Sequence, residues 1–102
     1  MTKKTTVELF IIDRVKEKRI ANKISQRRLS VDMNLRMSFV GNAECASSPT
    51  KYNLNHLNAF AIYFDCELWD FFPDEPFHDK NTKYLEFFNK EMNNRHEEEK
   101  GS

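Results

Sequence analysis

Apolar residues recur along this chain at intervals of three and four, with few positions where the rhythm must break. Glycine occurs only at Gly41 and Gly101 and proline only three times, which leaves little sequence for tight hairpins. The pattern predicts an all-α chain. Thr6 can cap a first helix running to about Asn22, with Phe10, Ile11, Val15 and Ile20 near one face and Asp13, Lys16 and Glu17 on the other. Ser25 then places a hydroxyl ahead of Gln26, Arg27 and Arg28, and Leu29 and Met33 form a short buried stripe. Asn34 tolerates the left-handed conformation that stops a helix abruptly. Leu35 through Glu44 reads as a third helix, Val40 and Ala43 facing inward.

Ala46 to Thr50 has loop composition, and Asn53 can cap a fourth helix carrying Leu54, Leu57, Phe60, Ala61 and Phe64. Leu68, Trp69, Phe71 and Phe72 form a brief fifth apolar segment, stopped by Pro73. Pro73 to Lys80 holds two prolines together with Asp74, Glu75 and Asp79, as a surface connector would. Beyond it, Tyr84, Leu85, Phe88 and Met92 recur at helical spacing opposite Lys83, Glu86 and Lys90. The expected organisation is a folded domain over residues 7–73, a connector over 74–81, a further helix over 82–96 that either dimerises or packs on the domain, and a disordered tail over 97–102.

Length and composition restrict the chain to one core. Its 102 residues are too few for two ordinary domains, and 39% hydrophobic content with nine Phe is enough to fold. No stretch approaches the roughly 20 apolar residues of a membrane helix, and Lys3 and Lys4 do not resemble the start of a signal peptide. A cytoplasmic protein with no membrane partner is expected. Cys45 and Cys66 are read as buried or half-buried thiols, and His56, His78 and His96 are too scattered for ligands, so neither metal nor cofactor is assigned. A net charge of zero conceals an asymmetry. Residues 1–51 hold eleven Lys or Arg against five Asp or Glu, and residues 52–102 hold the reverse, so the halves carry +6 and −6. A positive lobe of this kind can face phosphate while the acidic half points away.

From Ser25 the stretch SQRRLSVDMNLRMSFVGNAE resembles the helix-turn-helix of the phage repressor and Cro-like family of bacterial transcriptional regulators. Ser25 and Gln26 match its opening Ser-Gln, Leu29 and Ser30 its Leu-Ala pair, Asn34 its turn Gly, and Val40 and Glu44 its buried aliphatic and terminal Glu. Arg19 sits at a recurrent first-helix arginine, and YNLNHLNAFAIYFDCELWDFF is similar to the last two helices. The resemblance implies a five-helix lambda-repressor-like domain, here with an additional C-terminal helix, that binds double-stranded DNA as a homodimer. It implies base contacts from Met37, Ser38, Gly41 and Asn42 on the third helix, and phosphate contacts from Ser25, Gln26, Arg27, Arg28, Arg36 and Lys51. Arg19 and Glu44 are implied to form a structural ion pair. Two departures stand out. Arg36 replaces the usual Ser or Thr cap, losing about 1 kcal/mol unless another group supplies it. Gly41 in mid-helix costs about 1 kcal/mol against Ala, either for a close approach or through tolerance.

The alternative function is a protein-interaction module of the same fold, such as an antitoxin or accessory factor, using the apolar surface of Met37 and Phe39. No catalytic triad, paired carboxylates, phosphate-binding loop or metal cluster stands at useful spacing, so an enzyme is not expected.

Overall fold

Helices in this chain are set by their ends. The computed structural model describes residues 4–78. Among these residues all regular structure is helical, in the order α1 (Thr6–Ala21), α2 (Gln26–Asp32), α3 (Phe39–Glu44) and α4 (Leu54–Tyr63), followed by a 3-10 turn at Leu68–Phe71. Thr5, not Thr6, caps α1: its hydroxyl accepts the Glu8 N–H while the Glu8 carboxylate accepts the Thr5 N–H. Ser25 caps α2 by accepting the Arg28 N–H, and Asn53 caps α4 in a reciprocal arrangement with His56.

Three helices stop in the same way without using glycine. Lys23, Asn34 and Asp65 take the left-handed conformation, with φ of 56°, 58° and 53°. Each is followed by a residue whose N–H reaches back across the last turn: Ile24 to Arg19, Leu35 to Ser30 and Cys66 to Ala61, at 3.1, 2.8 and 3.0 Å. Asn34 thus stops α2 at the position the sequence indicates.

The core gathers Val15 of α1, Leu29 of α2, Val40 of α3, Leu57, Phe60 and Ala61 of α4, and Phe71 of the 3-10 turn. α2 packs on α3, α1 on both α3 and the 3-10 turn, and α4 on that turn. Several expectations are corrected. The fifth segment is a single 3-10 turn rather than a helix, because only four residues separate the bend at Asp65–Cys66 and Glu67 from Phe72 and Pro73. α1 buries Ile12, Val15 and Arg19, whereas Ile20 points outward. Cys45 is exposed. α3 begins at Phe39, four residues later than Leu35, for a reason that lies in its capping. The connector is described only to His78, with Phe77 against Phe10 at a ring separation of 5.7 Å. The helix expected at 82–96 and the tail at 97–102 lie outside the described residues.

Candidate functional site

A helix of six residues is roughly 9 Å long and far too short to persist by itself. α3 is such a helix, and its own sequence does little for its ends. Ser38, its N-cap residue, lies in the right-handed region and makes no side-chain cap bond, and the Arg36 side chain has no oxygen to offer, although its backbone carbonyl accepts the Phe39 N–H at 2.9 Å. The cap comes instead from α2. The Ser30 hydroxyl is fully buried, donates to the Gln26 carbonyl at 2.9 Å and accepts the Val40 N–H at 3.0 Å. It therefore satisfies an orphan amide in the first turn of α3.

The other end of α3 is held from the N-terminal arm. Lys4 is 2% exposed, and its Nζ donates to the carbonyls of Ala43 at 2.6 Å, Cys45 at 2.7 Å and Asn42 at 3.5 Å. Three donors thus meet three carbonyls at the negative end of a helix. Burial draws the Lys4 ammonium below the ordinary lysine value, opposed by the nearby Cys45 and Glu8 charges. Sequence reasoning missed this residue, reading Lys4 only as part of a polar start. Its partners lie 38 to 41 positions away, and no local pattern signals them.

Glu44 closes the unit. Arg19 grips it with two bonds, Nε to Oε2 and Nη2 to Oε1, both 2.8 Å, and sends Nη1 to the Ile24 carbonyl at 2.8 Å. The guanidinium therefore ties α1, the α1–α2 turn and the end of α3 together, with side-chain exposures of 11% for Arg19 and 2% for Glu44. Gln26 adds a third ligand, Nε2 to Glu44 Oε1 at 3.0 Å. Its carboxamide oxygen lies where a Cβ on Gly41 would come within 3.1 Å of it. Gly41 thus has a local reason: it makes room for Gln26 to cross from the start of α2 to α3.

On the outward side, Met37, Ser38 and Asn42 are exposed, Met37 at 57%, while Gly41 lies half-buried beneath Gln26. Met37 and Ser38 stand in the turn leading into α3 and Asn42 on the helix itself. Phe39 turns away and packs edge-on against His56, with Tyr52 beside it, at ring separations of 5.0 and 6.2 Å. Ser25, Gln26, Arg27, Arg28 and Arg36 are exposed and Lys51 half-buried. Two of these cations are already engaged. Arg28 Nε holds both Asp32 oxygens, at 3.0 and 2.8 Å, and Tyr63 donates its hydroxyl to the same carboxylate at 2.7 Å. The bonds from Tyr63 and Arg28 keep the Asp32 carboxyl below its usual range. Lys51 binds Glu8 at 2.7 Å. Burial alone would raise the Glu8 pKa, but the bonds from Lys51 and Thr5 outweigh it and hold the carboxylate charged. Arg27 and Arg36 make no ion pair among the described residues.

An open groove lined by Lys23, Arg27, Arg28 and Tyr63 runs beside α2. Among the described residues no group of three or more His, Cys, Asp or Glu could hold a metal ion, and no helix is long and apolar enough to cross a membrane. Comparison of the chain with family models, with curated proteins and with solved structures returns no match.

Proposed function

We propose that the chain is a sequence-specific, double-stranded DNA-binding regulator of transcription that presents α3 and the turn before it to the major groove. The observation that carries this reading is the division of labour across α2 and α3. Val40 and Ala43 are buried, Glu44 is fixed by Arg19 and Gln26, and Met37, Ser38 and Asn42 are left outward on an element whose two ends are held from elsewhere. Rigid placement of a few outward side chains is what base-edge recognition requires. Asn42 can pair with adenine through two bonds, Ser38 can serve several bases, and Met37 can contact a thymine methyl. Ser25, Arg27 and Arg36 supply donors and charge for phosphate, Gln26 adds its backbone N–H beside a carboxamide that holds Glu44, and Arg28 and Lys51 exchange a carboxylate for phosphate when they join them.

A helix-turn-helix of this size reads one half-site, so a homodimer on a two-fold symmetric operator, in the cytoplasm, completes the reading. Selection of bound duplexes from a random pool tests it directly. An enriched sequence is expected, with binding that weakens steeply with salt and is reduced by Asn42→Ala and Gln26→Ala. A second reading, protein recognition by the same fold, is favoured by the exposure of Met37 and by the carboxylates already occupying Arg28 and Lys51. Absence of enrichment, together with salt-insensitive binding to a protein that Met37→Ser abolishes, would select it.

A further inference from the structure

The first described residue of the chain is one of its most buried. Lys4 belongs to no helix, yet its side chain runs under the end of α3, and a buried ammonium is tolerated only where hydrogen bonds replace its water. All three of its acceptors are carbonyls at one place, the last turn and cap of α3. Its own seat is equally specific. Thr5 begins the α1 cap, Glu8 Oε1 accepts the Thr5 N–H at 2.7 Å, and Glu8 Oε2 binds Lys51 at 2.7 Å. A clasp of Thr5, Glu8 and Lys51 thus holds the arm to α1, and the arm holds α3.

Resting on the duplex-DNA reading above, we propose that Lys4 is a positioning residue for recognition: it latches the C-terminal end of α3, so that discrimination between DNA sequences depends on the Lys4 side chain being seated. The helix has six residues, the chain leaves at Cys45 in an extended conformation, and the backbone bonds that follow, Cys45 N–H to the Asn42 carbonyl and Ser48 N–H to the Cys45 carbonyl, both 3.1 Å, leave the Ala43 carbonyl to Lys4. Without the ammonium, the Asn42, Ala43 and Cys45 carbonyls lose their side-chain donor, and the last turn loosens about the Arg19–Glu44 grip. Outward Asn42 lies in that turn, so its aim is affected first. Contacts that only neutralise phosphate, from Arg27 and the start of α2, are affected least.

The test compares the full chain with Lys4→Met and Lys4→Arg, well below their melting temperatures. Native-state amide exchange over residues 39–45 is measured beside that of α1 and α4, and affinity is measured for the duplex enriched from a random pool and for a scrambled duplex of equal length. With Lys4→Met, exchange in 39–45 is expected to accelerate at least about tenfold relative to α1 and α4. Affinity for the enriched duplex falls about tenfold, that for the scrambled duplex changes less than about twofold, and Lys4→Arg restores most of both. Exchange that is unchanged or raised uniformly across the helices overturns the latch, as do enriched and scrambled affinities that fall by the same factor. Should Lys4→Met not fold, Lys4→Gln, which keeps two donors, carries the same readouts. If the unaltered chain enriches no duplex, the DNA reading fails while regional exchange still decides whether Lys4 latches α3.

Discussion

Replacing Ser30 with Ala removes a single oxygen and tests whether the first turn of α3 is capped from α2. In the native fold that oxygen is fully buried, donating to the Gln26 carbonyl and accepting the Val40 N–H. Without it, the Val40 amide, in a residue with no solvent exposure, has no partner, a penalty of about 1–3 kcal/mol. The Gln26 carbonyl loses only a second acceptor role and contributes little. Alanine returns roughly 0.5 kcal/mol through its better helix propensity in α2. The net expectation is a loss of about 1–2 kcal/mol, which for a domain of this size lowers Tm by roughly 5–15 °C. Urea and thermal melts followed by circular dichroism measure it, with an unchanged urea slope confirming that stability alone has shifted. Ser38→Ala is the internal control. Ser38 occupies the formal N-cap position but makes no side-chain bond, so its removal should cost under about 0.5 kcal/mol. If Ser38→Ala proves the more damaging of the two, or Ser30→Ala melts with the unaltered protein, the remote-cap reasoning is wrong.

Further outcomes follow from the same geometry. Glu44→Ala strands the nearly buried Arg19 guanidinium and should destabilise the fold by about 3 kcal/mol, so a melting temperature equal to that of the unaltered chain would refute the role given to the pair. Lys23→Gly and Asp65→Gly should each stabilise by about 0.5–1 kcal/mol, since relief of left-handed strain exceeds the added chain entropy; Asn34→Gly should gain less. Denaturant midpoints that do not rise for either would show that the strain lies elsewhere. Burial lowers the His56 pKa below its ordinary 6.5. The unfolded chain therefore takes up the proton first, and this contribution to stability, complete above the ordinary value, is lost as pH falls through it towards the lower folded value. His56→Gln retains an acceptor for the Asn53 N–H, so it should flatten the stability profile between about pH 7 and 5; an identical slope would assign the titration to another group.

The sequence is most legible where a structural decision is local. Ser25 and Asn53 announce their helices because a cap and the amide it accepts lie three residues apart, and Asn34 announces a stop because few residues tolerate its backbone angles. The inward positions Leu29, Val40, Ala43, Leu57 and Phe71 follow equally from spacing. Legibility fails where the decision belongs to a distant side chain. The start of α3 is misplaced at Leu35 because Ser30, ten positions before the amide it caps, determines which turn is stable. Lys4 is invisible for the same reason at greater range. The face of α1 is misjudged at Ile20 because Arg19 occupies the inward place beside it, and a buried arginine leaves no mark in an apolar pattern. Gly41 is explained only once Gln26 is seen lying over it.

The remote anchoring of α3 bears on how portable this element is. A segment cut from Ser25 to Cys45 and grafted onto another helical scaffold would carry its Ser30 cap with it, because donor and acceptor lie within the graft. It would leave behind Arg19 and Lys4, and with them the fixed position of Glu44 and the closure of the final turn. Exchange of outward residues within the intact chain, at Met37, Ser38 and Asn42, is therefore the route by which its surface can be rewritten, whereas transplantation of the two helices would move the letters without the frame that aims them.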